Sequence, residues 1–210
     1  MKTEFAFAPS GWRMSLWISA ILLFLMLPAR ALGYGYGAVQ VDPLIKSYKG
    51  LKETLAKGSM DWGKVDVEIK GKEVWKLVKL VDADYNQKLS ASFERSLTAK
   101  DTAKLTDTYE RTLYYLVRHK LDHVEANIKN FRAAKAIIKG GREYYKAISR
   151  RVKRKDRKAD KTIRKAFRAA LKSLGSPGAF SVGKKAADVN KFCAQKKRIE
   201  EALARVFEGG

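Results

Sequence analysis

Apolar residues recur every three or four positions along most of the chain, which is the spacing of an amphipathic α-helix. Asp42 and Pro43 supply a helix cap followed by proline at the first helical position, and the apolar residues after them predict a short helix ending near Gly58. After Gly71 the helical spacing continues almost to the last residue. Four main helices are predicted there, over about 72–97, 101–140, 142–174 and 184–207.

Glycine, proline and capping residues separate the predicted helices. The segment 98–101 resembles a capping box, Gly140-Gly141 predicts a break, and the Gly-Ser-Pro-Gly run at 175–178 predicts the end of the third main helix. The charged run 153–158 indicates that this third helix projects beyond its neighbours or bends. Because short connections favour antiparallel neighbours, we predict an all-α fold: an up-and-down antiparallel bundle of about four main helices plus the short N-terminal helix.

One segment departs from the helical spacing. Between Asp61 and Gly71, Val65, Val67 and Ile69 alternate with charged residues, which is the period of an extended chain. A short strand or extended linker is therefore predicted here. The predicted organisation is a flexible lead-in with the short helix and the extended segment over 32–71, followed by a helical-bundle domain over 72–210.

The first 31 residues resemble an export signal. Lys2 and Arg13 provide a positive start, 14–27 is an uncharged and mostly apolar run, and an A-x-A cleavage pattern at 29–31 follows Pro28. We predict a cleavable signal peptide over 1–31 and a periplasmic or extracellular protein. A retained membrane anchor is one alternative, although a bilayer span needs about 20 apolar residues. A buried helix of the fold is the other.

The sequence shows little that is typical of an enzyme. It has no glycine-rich phosphate loop and no nucleophile elbow, so we predict a non-enzymatic protein. Cys193 is the single cysteine, which excludes an intrachain disulfide.

Positive charge is concentrated in one stretch of the chain. The whole sequence has a formal net charge of +22, and residues 132–172 hold seventeen Lys or Arg against three acidic residues. Like charges three or four positions apart on a helix repel one another, and a bound polyanion relieves that repulsion. We therefore predict a strongly basic binding helix at about 142–174. Its candidate polyanion-binding residues are Arg150, Arg151, Arg154, Lys155, Arg157, Lys158, Lys161, Arg164, Lys165 and Arg168.

An exported protein contacts anions outside the cytoplasm, and this restricts the candidate partners of the basic helix. The candidate partners are an anionic lipid, a glycan, a wall polymer or an acidic protein. Nucleic acid is expected only outside the cell, because the sequence has no recognisable reading motif. A solvated face that only keeps the protein soluble is the alternative interpretation of the same charges.

His119 and His123 are the only histidines, and they lie one helical turn apart, so a metal ion can contact both. The helical spacing places them at the edge of the apolar stripe. Asp82, Asp84 and Glu94 are candidate oxygen donors from other helices. The alternative function is therefore a periplasmic bundle that binds a transition metal or haem. The alternative interpretation is that both histidines lie at the edge of the packed face and bind no cofactor.

Overall fold

The computed structural model describes residues 42–178, 183 and 185–209, all within one unit of the chain. These residues contain eight α-helices and no strand, which confirms the all-α class. The predicted signal peptide at 1–31 and the first ten residues of the predicted lead-in, 32–41, lie outside the described residues. In chain order the helices are α1 (Pro43–Ala56), α2 (Trp62–Lys70), α3 (Lys72–Tyr85), α4 (Leu89–Thr98), α5 (Thr102–Ala126), α6 (Phe131–Lys155), α7 (Arg157–Ser173) and α8 (Val189–Phe207).

Helix α1 begins where the sequence predicts. The Asp42 carboxylate accepts the backbone N–H of Leu44 at 3.0 Å and of Ile45 at 3.4 Å, with proline as the first helical residue. The helix ends at Ala56, and Gly58 follows with a φ of +70°, a conformation that glycine adopts without steric cost.

The segment predicted to be extended is helix α2. Val65 and Ile69, four residues apart, are both buried, whereas Val67 is 73% exposed. The alternating pattern is thus a helical i,i+4 pair with one exposed valine between its members. Asp61 begins the helix by accepting the backbone N–H of Lys64 at 3.0 Å. The prediction of a strand or linker is wrong.

The first predicted main helix is divided into α3 and α4. Asn86 ends α3 with a φ of +49°, a left-handed conformation that asparagine tolerates better than most residues. The Asp82 carboxylate then accepts the backbone N–H groups of Leu89 at 2.6 Å and Ser90 at 3.0 Å. A side chain in the last turn of α3 therefore satisfies the first free donors of α4.

Aspartates also fix the starts of α5 and α8. Asp101 is itself the cap of α5 and accepts the backbone N–H of Lys104 at 2.9 Å. The predicted capping box instead placed the cap at Thr98 and made Asp101 its fourth residue. Asp188 accepts the backbone N–H of Lys191 at 2.9 Å, so α8 begins about five residues later than predicted.

The break predicted at Gly140-Gly141 does not exist, because α6 passes through both glycines. The chain turns earlier, between α5 and α6, and Asn130 caps α6. A Cβ atom on Gly141 would lie 3.1 Å from the Lys120 Cβ atom. The glycine therefore serves the close approach of two helices and does not end one.

The predicted third main helix is instead divided at Asp156. This residue has extended dihedral angles, φ −149° and ψ 100°, between α6 and α7. Its carboxylate accepts the backbone N–H groups of Lys158 at 2.8 Å and Ala159 at 2.9 Å. The bend that the charged run 153–158 indicated is thus a complete interruption with its own cap.

The main packing contacts pair α5 with α6, α6 with α7, and α7 with α8. Helices α5 and α6 run in opposite directions, because early residues of α5 (Asp107 and Glu110) meet Arg151, while Lys120 lies beside Gly141. Helices α1 and α2 contact α3, and α1 also contacts α5.

A buried polar cluster joins these helices. Arg151 of α6 donates to Glu110 at 2.8 Å and to Asp107 at 2.6 Å on α5, and Tyr48 of α1 donates to Glu110 at 2.5 Å. The Arg151 guanidinium also lies 4.7 Å from the ring centre of Phe207 on α8. The side chains of Glu110 and Arg151 are each 11% exposed, so neither charge is well solvated if its partner is removed.

We expect Glu110→Ala to lower the free energy of unfolding by about 3 kcal/mol, because it leaves the buried Arg151 charge with only the more exposed Asp107 and removes the acceptor of the Tyr48 hydroxyl. Arg111→Ala removes the half-exposed pair of Arg111 with Asp107 and should cost less than about 1 kcal/mol. Urea denaturation followed by circular dichroism measures both values. Equal losses in the two variants would show that the buried cluster has no special role.

Candidate polyanion-binding surface

The basic segment folds back on itself at Asp156. Tyr145 of α6 donates a hydrogen bond to Asp160 of α7, and its ring centre lies 5.8 Å from that of Phe167. A Cβ atom on Gly141 would lie 3.9 Å from the Phe167 ring. Earlier residues of α6 therefore meet later residues of α7, so the two helices run antiparallel along each other.

The basic residues of α7 lie on one side of that helix. At about 100° per residue they fall within an arc of roughly 120°, opposite buried residues such as Ile163, Ala166 and Ala170. We call them the α7 stripe: Arg157, Lys158, Lys161, Arg164, Lys165, Arg168 and Lys172.

Helix α6 carries a second set of the same kind. Except for Lys155, its exposed basic residues also fall within an arc of roughly 120°, opposite the buried Ala134, Gly141 and Ile148. We call them the α6 stripe: Arg132, Lys139, Arg142, Lys146, Arg150, Lys153 and Arg154. Four of these residues precede Arg150, and the sequence prediction did not include them.

The two stripes lie on the same side of the α6–α7 pair. On each helix the centre of the stripe is roughly a third of a turn from the contact with the other helix, in the same rotational sense. Because the helices are antiparallel, equal rotations in the same sense lead to the same side. The stripes therefore form one surface, here called the basic platform, and α5 and α8 pack on the opposite side.

Eight of the ten predicted binding residues lie on this platform. Arg151 departs from its predicted exposed position, because its guanidinium is held in the buried cluster by Asp107 and Glu110. Lys155 also points away from the platform and donates to the backbone carbonyl of Val206 at 3.1 Å. Both residues lie next to the apolar face of α6. Helical geometry therefore directs their side chains toward neighbouring helices.

Few carboxylates neutralise the platform. Lys146 pairs with Glu143 at 2.6 Å and Arg164 with Asp160 at 2.9 Å, and no other carboxylate in the described part of the chain lies within 4 Å of a platform amine or guanidinium. The bases in the last turn of α6 suit the negative end of a helix dipole, but Arg157 and Lys158 occupy the positive end of α7. The repulsion within the platform is therefore largely uncompensated.

The platform also lacks large apolar side chains. Among the described residues the exposed large apolar side chains are Val67 and Val189, on α2 and α8. No exposed aromatic ring among the described residues accompanies the charges, so the groups that the platform offers are cations and hydrogen-bond donors.

The histidine pair lies on α5, away from the basic platform. The ring centres of His119 and His123 are 4.3 Å apart, and His119 Nδ1 lies 3.0 Å from the Asp84 carboxylate, one of the three predicted oxygen donors. Of the other two, Asp82 caps α4, and Glu94 lines a groove with Trp62. Within the described residues no group of three or more His, Cys, Asp or Glu side chains is arranged to hold a metal ion.

Burial lowers the pKa of His119, and the neighbouring His123 and Lys120 act in the same direction. The Asp84 carboxylate favours the charged form, but it does not outweigh the other causes. His119 is therefore a mostly neutral ring at pH 7, with Asp84 fixing its orientation.

Cys193 does not have the surroundings of a reactive thiol. Burial raises its pKa, and the Glu125 carboxylate, 3.5 Å from the sulfur atom, raises it further. Reactive cysteines have lowered pKa values because cations stabilise the thiolate. Here the nearby Lys196 ammonium is shared by Asp122 and Glu125, each at 2.6 Å.

No protein-family model, curated protein or solved structure matches the chain. None of the helices in the described part of the chain combines the length and the apolar character that a bilayer crossing requires.

The histidine environment predicts a pH-dependent stability. The folded protein binds the His119 proton less tightly than the unfolded chain does. The contribution of neutral His119 to the free energy of unfolding is therefore fully present above the ordinary pKa of 6.5, and it is lost as the pH drops through the lowered pKa. We expect the free energy of unfolding to fall as the pH drops below about 6.5, and to fall less in His119→Gln. Urea denaturation of the unmodified protein and of His119→Gln at several pH values measures this. An unchanged slope in His119→Gln would contradict the assignment.

Proposed function

We propose that this protein is an exported, non-enzymatic helical bundle that binds an anionic partner through the basic platform. The observation that carries the proposal is the position of two basic stripes on one side of the α6–α7 pair, with almost no carboxylate beside them. Export is supported by the signal-like pattern over 1–31. An up-and-down arrangement is supported by the opposite directions of neighbouring helices, α5 with α6 and α6 with α7.

The energy for binding comes from the platform itself. Each like-charged i,i+4 pair on a helix costs a few tenths of a kcal/mol, and α7 alone contains Arg157–Lys161, Lys161–Lys165 and Arg164–Arg168 at that spacing. An anionic ligand replaces this repulsion by attraction and releases its own counterions. A surface needed only for solubility would mix both signs of charge.

The chemistry of the platform defines a class of partners. Arginine and lysine donors suit phosphate, sulfate and carboxylate groups, which an anionic lipid, a glycan, a wall polymer and an acidic protein all carry. Nucleic acid is less well supported, because base-directed binding uses stacking rings or edge-reading side chains on defined elements.

Reversing charges on the platform tests the proposal. We expect the protein to be retained on immobilised heparin, with a logarithm of affinity that falls steeply with the logarithm of salt concentration. The triple variant Arg154→Glu, Arg157→Glu and Lys161→Glu should elute at much lower salt, because it removes three cations at the turn between the stripes and adds three anions.

The matched control is Lys72→Glu, Lys76→Glu and Lys79→Glu on α3, which makes the same change of net charge on exposed lysines outside the platform. It should elute close to the unmodified protein. Salt-independent retention, or equal effects of the two triple variants, would show that the platform is only a solvated surface.

A second candidate function, binding of a transition metal or haem at His119 and His123, is favoured by the contact of His119 with Asp84. Zinc sites require three or four protein ligands, and no such group is arranged among the described residues, so this candidate rests on the two rings and the one contact with Asp84. If a metal binds, His119→Gln with His123→Gln should abolish a stoichiometric metal content and the thermal stabilisation by added Zn²⁺ or Cu²⁺. Elemental analysis and an absorbance scan of the protein from its native compartment measure this. A metal-free, colourless protein that these ions and haem do not stabilise would eliminate the second candidate.

A further inference from the structure

We infer that the partner of the basic platform is the headgroup surface of an anionic lipid bilayer, on which the α6–α7 pair lies flat without inserting. This inference rests on the proposed function and names its ligand. It depends on three features: the two-dimensional layout of the charges, their shared direction and the absence of exposed large apolar side chains among them in the described part of the chain.

The platform extends in two directions. At about 1.5 Å per residue the α6 stripe, from Arg132 to Arg154, is about 33 Å long, and the α7 stripe, from Arg157 to Lys172, is about 22 Å long. Packed helices lie about 8–10 Å apart, so the stripes run side by side at about that separation. Fourteen basic residues therefore cover an area and not a line.

A planar array of anions matches this layout better than a single chain does. An extended polymer that follows one stripe leaves the repulsion within the other stripe uncompensated. A membrane leaflet places phosphates under both stripes at once, and lipids diffuse to the positions where the cations are. Since both stripes face the same side, contact with a plane requires no rearrangement of α6 or α7.

The contact stays at the level of the headgroups. Basic amphipathic helices that enter a bilayer carry Trp, Phe or Leu opposite their charges and bury that side in the lipid. Here the opposite sides of α6 and α7 are already buried against α5 and α8, through residues such as Ile148 and Phe167. The attraction is therefore Coulombic, and it should disappear at high salt.

The experiment compares the full chain on vesicles of phosphatidylcholine alone and of phosphatidylcholine with about one third phosphatidylglycerol. We expect sedimentation with the anionic vesicles at low salt, little with the neutral ones, and release at high salt. An apolar N-terminal segment that inserted by itself would bind both kinds of vesicle and would resist salt, so these conditions separate its contribution from that of the platform.

Variants of each stripe then test the flat geometry. The α6 variant is Lys139→Gln, Arg142→Gln and Arg150→Gln, and the α7 variant is Lys161→Gln, Lys165→Gln and Arg168→Gln. Each should weaken partitioning onto anionic vesicles by about a hundredfold, since each basic residue near the surface contributes about fivefold. Lys72→Gln, Lys76→Gln and Lys79→Gln on α3 remove the same charge and should weaken it less than about tenfold. Circular dichroism confirms that all the variants fold.

Each outcome is decisive. Similar large losses in both stripe variants support the flat contact, and a loss in only one of them overturns it in favour of a linear ligand. If the protein ignores anionic vesicles but binds long-chain polyphosphate in a salt-dependent manner, the bilayer inference fails and the proposed function stands. If it binds neither, both fail.

Discussion

The arrangement of this protein depends on one buried ion pair, Arg151 with Glu110, supported by Asp107 and by the hydroxyl of Tyr48. A guanidinium buried to this degree is tolerated only when its charge is paired, so the pair fixes the rotation of α6 about its axis. Once Arg151 faces α5, the residues of the α6 stripe must face outward. Burial of Arg151 thus orients α6 so that the residues of its basic stripe face the solvent.

The same geometry explains which features the sequence predicts well. Helical spacing predicts the all-α class, and an aspartate before proline predicts the start of α1. Both patterns are compatible with few structures other than a helix. The prediction fails at 61–71, because the exposed Val67 completes an alternating pattern that is typical of a strand. It also fails at Gly140-Gly141, where the small size of glycine allows close packing against Lys120. In both cases the local pattern is compatible with two structures, and a tertiary contact decides between them.

The candidate site was predicted in part for a similar reason. The charge density of the segment is visible in the sequence, and eight of the ten predicted residues lie on the basic platform. The charged run 153–158 indicates a bend, but it does not predict a full reversal at Asp156, because an aspartate among lysines and arginines is also typical of a solvated helix surface. Arg132 and Lys139, at the start of the α6 stripe, were missed because the misplaced break separated them from the helix that carries them. Continuing the period of the basic residues backward from Arg150 would have found them.

The connection between α6 and α7 consists of Asp156 alone. A helix turns by about 100° per residue, so inserting or deleting one residue in the first turn of α7, just after Asp156, would rotate the rest of α7 by that angle relative to α6. Phe167 would leave its place beside Tyr145, and about half of the α7 stripe would turn toward α8. Exchange of one base for another within the two stripes therefore leaves the basic platform intact, whereas a change in the length of the chain at this junction does not.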